Sequence, residues 1–447
     1  MEIFFIRALQ LIMALSILVL IHELGHFLFA RLFNVRVDKF YLFFDWKFSI
    51  FKWKPKGSDT EYGMGWIPLG GYCKIAGMID ESMDKEQMKQ PMQPWEYRSK
   101  PAWQRLLIIV GGVLFNLILA IFIYSMVLFT WGEEYYDLHK MENGFEFNET
   151  AKKIGFKDGD MIIKLDGEEA HELYLDKIRS VNILRDICNA EEVTVLRNGK
   201  EVNIAIPDSL GLLNMNKGGN FLQIRTAAVI DSVLPGSPAM IAGIQSGDSI
   251  ISIDGQDASS WNRVLDIMAS LKEQEKNEVV INLKHNGKIM FITASLDSTY
   301  KLGITPVENN YKPEHKAYGF FESFPAGISF GTDVLMGYVS DFQYVFTSEG
   351  AQSVGMFGSI GSLFPAEWNW HEFWLMTAFI SIVLAFMNIL PIPALDGGHA
   401  LFLIVEIITG KQPSEKFQER AQVVGMLLIL GLFILAMYND LVKFVFN

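Results

Sequence analysis

The stretch LSILVLIHELGHFLFARLF, Leu15–Phe33, decides how this chain is read. It is apolar enough to lie in a bilayer, yet it carries His22, Glu23 and His26. An ionisable side chain at a bilayer centre costs roughly 2.5–3.5 kcal/mol on insertion scales, so such groups face a protein interior or a wet cavity. On a helix, residues four apart lie about 40° round and about 6 Å along the axis, so both imidazoles can reach one metal ion. Glu23, one step round, stands beside that ion rather than on it. His-Glu-x-x-His in this form supplies two zinc ligands and a general base.

Outward from this stretch, four apolar runs are long enough to span a bilayer: Phe4–Phe29, Leu106–Trp131, Phe373–Pro393 and Ala421–Asn439. Each meets the requirement of about 20 residues for a crossing helix. The first does not read as a cleaved signal peptide, because Glu2 precedes it, no small-residue cleavage site follows, and it stays apolar past the histidines. The 447 residues are 50% hydrophobic and 20% charged, which implies a membrane protein with a sizeable water-soluble insert.

The net charge of −13 is uneven, with about −14 falling between the second and third runs. About 13 Lys and Arg lie in residues 31–105, and Lys411, Lys416 and Arg420 lie between the last two runs. Basic short loops favour the cytoplasmic side, so the acidic insert is expected on the opposite face, the periplasm of a Gram-negative cell. Without a basic stripe, nothing supports nucleic-acid binding. Cys73 and Cys188 fall on opposite sides in this topology, so no disulfide is expected.

The insert contains an internal repeat. AKKIGFKDGDMIIKLDGE from Ala151 returns as AMIAGIQSGDSIISIDGQ from Ala239. Each copy predicts a short helix, a Gly-Asp turn, a strand and an Asp-Gly turn, with a helical stretch and an Asn-Gly hairpin downstream. A period of about 88 residues is a domain length rather than a solenoid repeat. Both copies resemble PDZ domains of bacterial proteases, which implies capture of extended peptides or C-termini at a sheet edge. In the first copy, the strand expected before Thr150 is hard to find in MENGFEFNE.

Between the first two runs, EYGMGWIPLGGYCKIAGM (Glu61–Met78) alternates aromatics with glycines and predicts a β-hairpin apolar enough to dip into the bilayer. Backbone of that kind survives at membrane depth only inside protein or along a wet cavity. A polar cytoplasmic loop follows from Glu81, with Trp95, Trp103 and Arg105 as interface anchors. The glycine-rich SEGAQSVGMFGSIGSLFPAEWNW (Ser348–Trp370) has no preceding strand and no βαβ context, so it predicts a surface-lying amphipathic segment rather than a nucleotide loop.

Two histidines are an incomplete catalytic zinc site, which usually takes three protein ligands. FMNILPIPALDGGHALFLIVE offers Asp396, which the topology brings to the same depth as His22 and His26 because both runs head inward and reach these residues late. Pro391 and Pro393 break the helix there and free carbonyls, which suits a cavity. His399 is an alternative ligand, and Asp396 could instead cap the following helix.

Taken together, HELGH, NILPIPALDGGH and the tandem PDZ-like repeats closely resemble the site-2 protease family of intramembrane zinc metalloproteases, in the bacterial regulator-of-sigma-E arrangement. The likeness covers essentially the whole chain, including IPLGGYCK, KPAWQRLLIIVGG and MYND. It implies that His22, His26 and Asp396 hold Zn2+ and that Glu23 activates water. It further implies substrate contacts at Asn388, at Pro391 and Pro393, and at a membrane-reentrant element with Gly70, Gly71 and Tyr72. The chain departs from the family at Gly111-Gly112, where Gly-Pro is common, while Asn116 still fits.

The expected fold is a polytopic α-helical membrane protein: four transmembrane helices and a membrane-reentrant β-hairpin, with two α/β PDZ-like domains inserted between the second and third helices. The expected segments are 1–33, 34–104, 105–131, PDZ-like domains at 132–215 and 220–308, an amphipathic linker at 309–371, and 372–410 and 420–440. The expected location is the bacterial inner membrane with the PDZ-like pair in the periplasm. The expected substrates are single-span membrane proteins, an anti-sigma factor or remnant signal peptides, with the PDZ pair as a size gate.

Overall fold

The computed structural model describes residues 2–78, 91–217, 219–308 and 312–446. Much of the polar loop expected from Glu81 therefore lies outside the described residues. Two compact units divide the chain: Met1–Gly132 together with Ala317–Asn447, and Glu133–Lys316. Elements of the first unit are labelled below; those of the second are named by their residues.

The first unit begins with helix α1 (Glu2–Leu32), followed by strands β1 (Val37–Phe44), β2 (Phe51–Trp53), β3 (Glu61–Met64) and β4 (Ile67–Ile75). Helix α2 (Ala102–Trp131) then leads to the second unit. The chain returns as α3 (Ser323–Phe342), α4 (Ser348–Ser353), α5 (Phe357–Leu363), α6 (Trp370–Ile389), α7 (Asp396–Thr409) and α8 (Glu415–Leu441). Four helices among the described residues are long and apolar enough to cross a membrane: Glu2–Leu32, Ala102–Trp131, Trp370–Ile389 and Lys416–Phe444. Bare apolar faces such as Val424, Leu427 and Ile434, each at least 60% exposed, are what a lipid-facing helix presents.

Helix α2 is the centre of this bundle. Its backbone meets α1 at Gly25 and Gly111, where a Cβ on either would run into the other's main chain. Tyr124 stacks on Phe330 of α3 with centroids 4.3 Å apart. Ser381 of α6 donates to the Asn116 carbonyl at 2.7 Å. Arg105 at the start of α2 forms a part-buried ion pair with Glu406 of α7.

The expected hairpin is not one. β3 and β4 do not pair with each other; β1 lies between them, in the order β2-β3-β1-β4. β3 runs parallel to β1 and β4 antiparallel, so Tyr41 faces Gly63 on one side and Tyr72 on the other. The two-residue link crosses the end of β1, with Gly65 N–H donating to the Leu42 carbonyl at 2.9 Å and Trp66 N–H to that of Phe44 at 3.2 Å. A side chain at Gly65 would collide with the Phe44 main chain, so the crossing requires glycine there.

The glycine-rich segment forms α4 and α5, tied to the end of α8. Asp440 Oδ2 accepts from the N–H groups of Met356, Gly358 and Ser359 at 3.1, 2.7 and 3.3 Å. Asn439 Nδ2 donates to the Ala351 and Val354 carbonyls, both at 2.8 Å. The glycines therefore let a short helix N-terminus sit on a carboxylate.

In the second unit the two repeats share one topology. Sheet order Lys200–Ala205, Glu192–Arg197, Met161–Leu165, Glu168–Glu169 in the first repeats as Lys288–Ser295, Glu278–His285, Ser249–Ile253, Gln256–Asp257 in the second. The Asn-Gly hairpins form as expected, with positive φ at Asn198, Gly199, Asn286 and Gly287. The strand that MENGFEFNE hides is Phe145–Phe147, which pairs antiparallel with Leu222–Ile224. Its partner in the second repeat is Ile230–Val233, paired with Ile304–Pro306. The first repeat's fold thus runs past residue 215, and Phe221 is buried in its core with Phe145 and Phe156.

Candidate metal centre

Near the end of α1, His22 and His26 point the same way, as their four-residue spacing requires. Their Nε2 atoms are 3.2 Å apart. Asp396 is the first residue of α7, and its Oδ2 lies 3.2 Å from His22 Nε2 and 3.5 Å from His26 Nε2. That oxygen is buried and has no hydrogen-bond partner. It therefore faces the imidazoles instead of capping its helix; the cap position is Leu395.

The other ring nitrogens are held from α2. His26 Nδ1 meets the Ile108 carbonyl at 2.8 Å, and a carbonyl only accepts, so Nδ1 carries the proton and Nε2 is left with its lone pair. His22 Nδ1 meets the Asn116 amide at 3.2 Å. With the amide turned so that Oδ1 accepts from Nδ1–H, His22 takes the same tautomer; amide orientation is fixed by the network it serves. Ile108, Gly112 and Asn116 are spaced by four and share one face of α2. A Cβ at Gly112 would fall 2.5 Å from His26 Nε2 and 2.6 Å from His22 Cε1, so a bare backbone is required opposite the imidazoles.

Two neutral imidazoles and one carboxylate, with an unpartnered buried oxygen aimed between them, fit a tetrahedral zinc ion with one open position. His22, His26 and Asp396 are one of two groups among the described residues that could hold a metal. His399 lines the same cavity but lies outside that group.

The cavity measures about 790 Å³. Glu23 and Cys73 of β4 both line it. Gly70, Gly71 and Tyr72 of β4 form one wall, and β4 is an edge strand whose second side is unpaired within its sheet. Gly71 lets that strand pass close to α1, since a Cβ there would sit 2.8 Å from Val19. The Tyr72 hydroxyl donates to Asp45 at 2.9 Å. Asn388, one residue before the end of α6, also lines the cavity. Pro391 and Pro393 do not. They shape the break between α6 and α7, and the Pro393 carbonyl packs against Gly425 of α8. Ala394, next to Pro393, takes φ 124°, a conformation natural to glycine, so the break stores backbone strain beside Asp396.

Sequence reasoning missed the roles of Ile108, Gly112 and Asn116. The signal was present as polar and glycine positions at spacing four in an otherwise apolar helix.

A glutamate lining the cavity of a two-histidine, one-carboxylate cluster, inside a bundle of apolar helices, has the donor set of a membrane-embedded metallopeptidase. Comparison with known proteins gives the same class. The profile of peptidase family M50 matches residues 10–432, and the chain belongs to that family, the site-2 proteases. It is 28% identical to the regulator of sigma E protease of Haemophilus influenzae, over 97% of this chain and 98% of the other. It is 30% identical to a Borreliella burgdorferi protein named as a zinc metalloprotease, over 96% and 97%. It is 26% identical to the regulator of sigma-E protease RseP of Escherichia coli, over 96% and 97%. The chain is a zinc metallopeptidase of the membrane.

Proposed function

We propose that this enzyme cleaves transmembrane segments of single-span membrane proteins, with His22, His26 and Asp396 holding zinc and Glu23 as general base. The observation that carries the reading is the convergence of both Nε2 atoms and the orphaned Asp396 Oδ2 next to Glu23, inside a cavity among membrane helices. Zinc held by His22, His26 and Asp396 would supply a water acidified toward neutrality and a Lewis acid for the scissile carbonyl. Glu23 takes the proton of the attacking water and returns it to the leaving amine. A helical substrate hides its carbonyls in its own hydrogen bonds, so it must be opened first. The free edge of β4, at Gly70, Gly71 and Tyr72, holds the opened segment as an added strand. Asn388 bonds main-chain groups that the opening exposes.

The enzyme sits in the inner membrane of a Gram-negative bacterium, with the two repeats, read as PDZ-like domains, on the periplasmic side. They admit substrates already trimmed of bulky domains, through binding of exposed peptides or C-termini. The names of the relatives, regulators of sigma E, support an anti-sigma factor among the substrates; remnant signal peptides share the required single-span form.

The test is cleavage of a model single-span substrate by purified protein, together with its zinc content. Glu23→Gln should keep the metal and lose turnover by at least a hundredfold, while Asp396→Asn should lose both. Retained turnover in Glu23→Gln, or full zinc occupancy in Asp396→Asn, overturns the assignment.

A further inference from the structure

The second unit carries another set of nitrogen and carboxylate donors, unrelated to the cavity. His139 lies in the turn Leu138–Lys140, directly after the strand Glu133–Asp137. Glu169 ends the strand Glu168–Glu169, and His171 precedes the strand Glu172–Tyr174. One ligand atom from each falls within 4.8 Å of the others. The two imidazole centroids are 5.4 Å apart, and His171 Nε2 is 3.7 Å from Glu169 Oε2.

We propose that His139, Glu169 and His171 form a second metal site, for a divalent ion of the zinc, copper and nickel class. Imidazole pairs select those ions over magnesium or calcium, which prefer oxygen alone. Metal–nitrogen bonds of about 2.0–2.1 Å at a tetrahedral ion bring two ligating nitrogens to about 3.3 Å, so the observed spacing closes by side-chain rotation.

The backbone around the donors is already fixed. His171 offers its carbonyl to Leu138 N–H at 3.0 Å, and Ala170 N–H donates to the Ile163 carbonyl at 2.9 Å. His139 N–H is held by Asp137 Oδ1 at 3.0 Å. Asp137 is itself in register with Glu172 across the sheet, so the two histidines stand on adjoining, hydrogen-bonded chain segments. Little backbone ordering therefore remains for the ion to impose. All three side chains are exposed, His171 and Glu169 at 62% and 60%, so solvent reaches the site and water completes the coordination. A bound ion would tie the Leu138–Lys140 turn to the connection at Glu169–Glu172.

The experiment uses the full chain in detergent, stripped of metal and dialysed against excess zinc chloride, with zinc then counted by atomic emission. Two zinc ions per chain are expected. His139→Ala with His171→Ala should hold one and keep peptidase activity, while His315→Ala, at another exposed histidine, should still hold two. Glu169→Gln should weaken the second ion at least tenfold. Added Cu2+ should show a second set of nitrogen hyperfine couplings, beyond the set from His22 and His26, that the double variant lacks. A single zinc that the double variant keeps, or two in the double variant, overturns the proposal and leaves the catalytic reading standing. A single zinc that the double variant loses counts instead against zinc at His22, His26 and Asp396.

Discussion

At the scale of single residues, the candidate centre depends on side chains outside the proposed ligand set. Asn116 is buried and its amide faces His22 Nδ1, so it sets which nitrogen of His22 is free for metal. Partners of this kind are worth about 10–100-fold in metal affinity. Asn116→Leu is expected to lose that much zinc affinity in chelator competition, with kcat at saturating zinc less affected. Asn116→Asp, which still accepts from Nδ1–H, should recover most of it. Equal affinity in all three proteins would remove the role. A different residue prediction concerns acid. Burial works against the Asp254 carboxylate, yet Lys276 at 2.8 Å and the Val280 N–H at 2.9 Å hold its pKa below the usual value. A depressed carboxylate pKa stabilises the fold above its unfolded pKa, and that contribution fades as pH falls through the folded one. The second repeat should therefore lose stability below about pH 4, and Asp254→Asn should flatten that limb in a pH series of thermal unfolding.

Elements differ in how plainly the chain announces them. The four long helices were legible because about 20 consecutive apolar residues have few other uses. The centre was legible because His-x-x-x-His places two donors on one helical face and the Asp396 segment breaks at its prolines. The sheet around β1 was not. VDKFYLFF lacks clean alternation, since β1 is flanked by strands on both edges and packs on α1. A local pattern that ends in a two-residue turn reads as a hairpin even where a third strand has slipped between the arms. Phe145–Phe147 was missed for a similar reason: all three residues are buried, so no period shows. Element packing also yields a prediction. Arg105 and Glu406 join α2, which holds the histidines from behind, to α7, which brings Asp396. Removing one partner of a buried pair costs on the order of 3 kcal/mol, because the other charge stays uncompensated. Glu406→Ala should lower the unfolding midpoint in detergent, and Arg105→Met with Glu406→Leu should restore part of the loss. No shift in Glu406→Ala would show that the pair is dispensable.

For the whole molecule, each unit has its own means of cohesion. In the second, Arg263 of the later repeat donates to Glu146 of the earlier one at 2.6 Å and also pairs with Asp158 and Asp257. Ser260 donates to the same Glu146 at 2.5 Å. Glu146 is only 8% exposed, so Arg263→Ala leaves a buried carboxylate without its countercharge, held by Ser260. The expected loss is about 1–3 kcal/mol, and hydrogen exchange should report the two repeats opening separately rather than as one unit. Continued joint opening would assign their cohesion to apolar contact alone.

The order of the proposed metal ligands along the chain has a consequence for synthesis. Asp396 follows His26 by 370 residues. At about 5–20 residues per second, the ribosome needs roughly 20–70 s to cover that gap. During this interval the membrane holds a growing polypeptide with two imidazoles and no third donor. With His22, His26 and Asp396 as the proposed ligands, peptide-bond cleavage is withheld until Asp396 has been made and has reached the two imidazoles.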